Sequence, residues 1–167
     1  MCPSRRQLIA CSVVAITPLA GCSDDTSSEP SDEQSNLILE YEIGLDHHTN
    51  GLDWFDQAFD SYNNGQFDAA KADFDSAGDE FDLAAESFRN VSDGIVEHGT
   101  DEAMDVNTQA RSTTGSAGAQ ARSCSSAAAT LPGSTEAEQI IERVQSDHRE
   151  NQFSIPSKAD FENSLSS

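Results

Sequence analysis

Carboxylates are so abundant in this chain that no single pair of them marks a site, and the rarer groups able to bind a metal or move a proton are sparsely patterned. The four histidines are His47, His48, His98 and His148. A transition-metal centre needs three or four ligands, and no Cys-x-x-Cys, His-Glu-x-x-His or Glu-x-x-His spacing is found. Counting along an up-and-down helical bundle still brings two histidines together. A turn near residue 64 sets position 48 opposite 81, a turn at 99 sets 81 opposite 117, and a turn at 132 sets 117 opposite 148. His48 and His148 then share a layer, with His47 and Asp147 nearby, as a weak candidate metal or polar site. His98 falls about 25 Å away at 1.5 Å per residue. No Gly-rich phosphate loop follows a strand, no Ser sits in a Gly-x-Ser-x-Gly elbow, and the acidic runs lack the spacing and central Gly of a calcium loop. Nothing here supports an enzyme or a cofactor. Cys124 lies among Ser and Ala with no local base to activate it, so it reads as a small buried hydrophobe. Asn90-Val91-Ser92 fits the N-glycosylation sequon, which makes Asn90 a candidate acceptor.

The elements that must position these groups are helices. Ile38, Tyr41, Leu45, His48, Leu52, Phe55, Phe59 and Tyr62 recur at steps of three and four, which predicts one helix over about residues 36–63. Thr49-Asn50-Gly51 does not break its phase. Asn63-Asn64-Gly65 ends it. Phe67, Phe74, Phe81 and Phe88 then follow at intervals of seven. Ala70, Ala77, Ala84 and Val91 sit between them, a heptad seam alternating large and small. Asp68, Asp75 and Asp82 border the seam as a solvated flank. Gly99 closes that helix, and Thr100 caps a third over about 101–130, with Ala103, Val106, Ala110, Thr113, Ala117, Ala121, Cys124 and Ala128 in phase. Its Gly115 and Gly118 cost about 1 kcal/mol each relative to Ala. After Leu131-Pro132-Gly133, Ser134 caps a short fourth helix carrying Ala137, Ile141, Val144 and His148. No stretch alternates as a strand does. The predicted fold is all-α, an antiparallel three- to four-helix bundle over residues 36–150, with a C-terminal tail at 151–167 that holds one turn of helix after Pro156.

The charge and the first residues say where such a bundle works. Acidic residues number 30 and basic residues 9 in 167, a net charge of −21. That excludes nucleic acid bound through a basic patch and a polybasic hold on membranes. Arg5 and Arg6 precede an apolar run from Leu8 to Ile16, too short to span a bilayer. Ser4-Arg5-Arg6-Gln7-Leu8-Ile9 resembles the twin-arginine export signal. Leu19-Ala20-Gly21-Cys22 resembles the lipobox of bacterial and archaeal lipoproteins, in which the Cys becomes the lipidated first residue. The resemblance implies a signal peptide at 1–21, a lipid on Cys22, and a place on the outer face of the cell membrane. Loss of residues 1–21 removes Arg5 and Arg6 but no carboxylate, so the charge deepens from −21 to −23. Residues 22–35 then read as the lipidated Cys and a disordered acidic tether. The acidity, with only Lys71 and Lys158 as lysines, resembles that of haloarchaeal proteins. Dense carboxylates keep a surface hydrated where salt screens charge within a few ångströms.

Within the first hairpin, Trp54, Ala58, Tyr62, Gly65, Phe67, Ala70, Phe74 and Ala77 match the pattern of a tetratricopeptide unit. Residues 51–84 thus resemble one such helical hairpin, without the family's closing Pro and without a second repeat. The resemblance implies a surface for a protein partner. The sequence therefore points to a lipid-anchored helical domain serving as a protein-interaction module of the envelope, its partner unidentified. The alternative is a ligand- or metal-binding accessory of transport or sensing.

Overall fold

A computed structural model describes residues 30–166. The expected signal peptide at 1–21, with Arg5 and Arg6, and the expected lipobox with Cys22 lie outside the described residues. Five helices follow one another: α1 Asp32–Asn63, α2 Phe67–His98, α3 Asp101–Thr130, α4 Thr135–Arg149 and α5 Lys158–Leu165. Among the described residues there is no strand, and no helix is long and apolar enough to cross a membrane. The all-α fold expected from the periodicity is the one observed.

α1 starts four residues earlier than the apolar stripe indicates. Ser31 accepts the Gln34 backbone N–H, and the Gln34 side chain accepts the Ser31 N–H. This reciprocal cap, with Asp32 and Glu33 at the positive end of the helix dipole, draws polar residues into the first turn. Ser134 caps α4 in the simpler way, through the Ala137 N–H, and Ser157 with Asp160 forms a second reciprocal box on α5. Gly65 and Gly133 take positive φ in the two turns at one end of the bundle, where a side chain would be strained.

α1 and α2 pack along their whole lengths because small residues face rings. A Cβ built on Gly44 would stand 2.7 Å from the Phe88 ring, and one on Gly51 would stand 2.6 Å from the Phe81 ring. Each step of seven along α1 thus meets a step of seven back along α2. Tyr41, Phe55, Phe74, Phe81 and Phe88 are almost wholly buried. α3 closes the other side of α2 with Ala103, Ala110, Ala117, Ala121 and Cys124.

The fourth position of the bundle is filled by two pieces. α4 returns from the α3–α4 turn, breaks after Arg149, and α5 resumes at Lys158 toward the start of α1. The expected C-terminal tail at 151–167 is therefore part of the core: Phe153, Phe161 and Leu165 are buried, and its helix after Pro156 runs eight residues rather than one turn. The core itself falls into two clusters. One surrounds Phe55, Phe74, Phe81 and Phe153, near the α1–α2 turn. The other surrounds Tyr41, Phe88, Ile95 and Phe161, near the start of α1.

Candidate functional site

The polar chemistry of the interior lies between the two clusters. His48 is buried at 3 % exposure on α1. Its Nε2 lies 2.8 Å from the Phe153 carbonyl oxygen, and its Nδ1 lies 2.9 Å from Thr114 Oγ1 on α3. A carbonyl can only accept, so Nε2 carries the proton and the Thr114 hydroxyl donates to Nδ1. Burial lowers the His48 pKa, opposed only by the bond to the Phe153 carbonyl. The ring is therefore neutral, with both nitrogens in use. One heptad back along α1, the Tyr41 hydroxyl donates to the Pro156 carbonyl at 2.9 Å. The break between α4 and α5 frees two carbonyls from helical pairing, and these two side chains take them.

A second polar layer was not legible as such. Asn107 on α3 is fully buried. Its Nδ2 donates to the Phe88 carbonyl at 2.8 Å and to Ser92 Oγ at 2.7 Å. Asn107 and Thr114 occupy the inward row that the sequence reading gave to Val106 and Thr113. Those two are only partly buried. The steps from Ala103 to Asn107 to Ala110 to Thr114 to Ala117 keep a three-four spacing equally well. Hydropathy alone favoured the wrong neighbours.

The other histidines stand apart from His48. His148 donates from Nε2 to Asp56 at 3.1 Å and packs beside Phe55, Phe59 and Phe153. It lies two helical turns along α1 from His48, not in the same layer. Gly44 faces Phe88 and Gly51 faces Phe81, so the first turn is centred near residue 66 rather than 64, and position 48 stands opposite about 84 rather than 81, which moves it out of the layer of His148. His47 pairs with Glu80 at 2.8 Å, and His98 lies 3.6 Å from Glu97 on the surface. The main-chain carbonyl of Asp147 accepts from Gln152 N–H in the turn after α4. Among the described residues no three His, Cys, Asp or Glu side chains are grouped to hold a metal.

Cys124 is buried, and burial pushes its thiol pKa up to about 12. It is a packing residue and not a nucleophile. Asn90 is exposed and donates to Glu40 across the α1–α2 seam at 3.1 Å. Its sequon lies mid-helix rather than in a surface loop, and Ser92 is engaged by Asn107. At the end of the bundle formed by the two glycine turns, clefts of about 600 and 300 Å³ flank Phe67. Leu131 is exposed at that same end.

These features define an all-helical four-position bundle with an interrupted fourth helix and two buried polar layers. No family model, no curated protein and no solved structure matches the chain.

Proposed function

We propose that this chain is a lipid-anchored helical domain of the outer membrane face that serves as a protein-interaction module of the envelope. The observation that carries the reading is the Arg5-Arg6 and Leu19-Ala20-Gly21-Cys22 pattern ahead of a chain whose first helix is already capped at Ser31. Fully extended, the segment from Cys22 to Asp32 reaches at most about 35 Å. A lipid on Cys22 then holds the start of α1 within about 35 Å of the membrane and leaves the α1–α2 and α3–α4 turns free to face away from it. The outward end presents Phe67 between its two clefts, with Leu131 beside them. Partly exposed aromatic and aliphatic side chains beside concavities suit a protein partner better than a small polar ligand. The resemblance of residues 51–84 to a tetratricopeptide hairpin favours the same end.

The test is a Cys22→Ser chain expressed beside the wild type in a salt-requiring host. The wild type should fractionate with membranes and take up labelled lipid, while the variant is released. A photo-cross-linker at Leu131 should then join the anchored chain to one defined partner, and one at Val96 should not. Membrane association that survives Cys22→Ser, or equal labelling from both positions, refutes the proposal.

A further inference from the structure

We infer that the cleft of about 300 Å³ between the α1–α2 turn and α4 binds a primary ammonium group carried on an alkyl stem. Its source is a lysine side chain of the protein partner, in which case the inference rests on the interaction reading above, or a free amine, in which case it does not. Tyr62, Phe67 and Ile141 line the cleft with apolar surface, and Glu138 and Glu142 line it with charge. The two glutamates stand one turn apart on the same face of α4, a spacing at which like charges destabilise a helix. Among the described residues neither carboxylate is paired with a Lys or Arg. Gly133 lies at the same cleft, and a Cβ built on it would stand 3.2 Å from Phe67 Cζ, so the glycine leaves room beside that ring.

Tyr62 supplies a second and independent sign of a ligand. Its side chain is 8 % exposed, and its Oη is buried without a hydrogen-bond partner. Native folds seldom leave a buried hydroxyl unpaired. Burial, and after it the nearby Glu138 carboxylate, raise the Tyr62 pKa, so the phenol keeps its proton. The Gly133 N–H is close enough to oppose that rise but lies outside hydrogen-bond geometry. Two carboxylates and a phenol oxygen offer acceptors, and no lining side chain is a cation. The complement is a group with several N–H donors and no acceptor, which describes an ammonium. Its three donors fan toward acceptors on different elements, where the planar fork of a guanidinium suits a single carboxylate. The Tyr62 and Phe67 rings, 5.2 Å apart at 63°, attract a cation and cover its methylenes. In multimolar salt charges act only at contact, so the aromatic wall is what separates an alkylammonium from the potassium around it.

The experiment titrates the full chain in multimolar KCl with n-butylammonium chloride, and with an acetylated, amidated pentapeptide holding one central lysine. Both should shift the backbone NMR signals of Phe67, Gly133 and Glu138 saturably. Tighter binding of the peptide assigns the ammonium to a protein, and tighter binding of the amine assigns it to a small molecule. Replacing both glutamates, Glu138→Gln with Glu142→Gln, should weaken binding at least about tenfold, because the charge-assisted hydrogen bonds are lost. Tyr62→Phe separates binding from folding: loss of an unpaired buried hydroxyl should leave the melting temperature unchanged or raised, while binding weakens several-fold. The absence of a saturable shift with both probes overturns the proposal. So does equal binding of n-butanol or tetramethylammonium, unchanged binding by the folded double variant, or a lowered melting temperature in Tyr62→Phe. Failure of the Leu131 cross-link with amine binding intact refutes the interaction reading alone and assigns the cleft to a free amine.

Discussion

Gly51→Ala isolates the ring-on-glycine contact that sets how closely α1 and α2 approach. The added Cβ would meet Phe81 Cε1 at 2.6 Å, Cδ1 at 2.8 Å and Cζ at 2.9 Å. The ring has nowhere to swing. Phe81 is 1 % exposed, with Phe55 and His48 both 5.4 Å from it, centroid to centroid, and its own Cβ lies 3.2 Å from where a Gly118 Cβ would stand. Overpacking of this kind costs about 1–3 kcal/mol, while replacing a mid-helix Gly by Ala returns about 1 kcal/mol of helix propensity. Gly115→Ala is the matched control, because nothing lies within 4 Å of the site and only the propensity gain remains. The propensity cancels between the two variants. Their difference, about 1–3 kcal/mol, is the cost of the contact. In a domain of this size each kcal/mol moves the melting temperature by about 3 °C. Thermal and urea melts in high KCl should therefore rank Gly115→Ala above the wild type and Gly51→Ala below it. Adding Phe81→Leu to Gly51→Ala should recover part of the loss as a favourable coupling. Equal stability of Gly51→Ala and Gly115→Ala would refute the close approach of the two helices at Gly51.

Three further outcomes follow from the buried polar groups. His48 is neutral in the folded chain with its pKa lowered by burial, whereas in the unfolded chain it titrates near its ordinary value of about 6.5. The unfolded state therefore binds more protons below that pH, and stability should fall on acidification from about pH 6.5 toward 5 with a slope of at most about 1.4 kcal/mol per pH unit. Urea melts should show this slope in the wild type and lose most of it in His48→Gln. Thr114→Val removes the donor to His48 Nδ1 and should cost about 1–3 kcal/mol, with the pH slope altered as well, since a bare Nδ1 no longer has a partner to lose. Cys124, its thiol pushed up to about 12, should resist iodoacetamide in the folded chain and react at once in urea. Alkylation at equal rates in both states would show that the site opens.

The fold was legible because three helices carry their apolar residues at steps of three and four, and the Phe67-Phe74-Phe81-Phe88 series names the inward face of α2 outright. What the hydropathy pattern could not show is that glycine can be the interior residue. Gly44 and Gly51 are buried against Phe88 and Phe81, while Ile38, Leu45 and Leu52, which looked like the stripe, are only partly buried. Phe88 and Phe81 need room, and only a missing side chain supplies it. The same blindness hid Asn107 and Thr114. A polar residue inside is visible only through its partners, here Ser92 and the Phe88 carbonyl for one and His48 for the other. Two aromatic residues of the chain's last stretch also lie in the core. Phe153 and Phe161 join the core because the fourth helix is interrupted, and the interruption comes at Asn151, whose φ of 57° turns the chain out of α4.

The interrupted helix and the polar layers also answer a problem that the heptads create. Ring against glycine recurs at intervals of seven along the α1–α2 seam, so sliding one helix by seven residues would again set Gly44 or Gly51 against a Phe. The apolar contacts alone leave that register nearly degenerate. The polar pairs do not repeat. If α1 slips by seven, His48 faces Asn107 or Ala121 on α3 in place of Thr114; if α2 slips instead, Asn107 loses Ser92. A buried donor or acceptor left unpaired costs about 1–3 kcal/mol, enough to single out one register from several of similar packing energy. The same pairs seat the C-terminal segment, since His48 binds the Phe153 carbonyl through Nε2 while Thr114 holds its Nδ1. A few buried polar side chains thus fix both the helix register and the place of the last segment, in a core whose α3 contributes hardly anything larger than alanine.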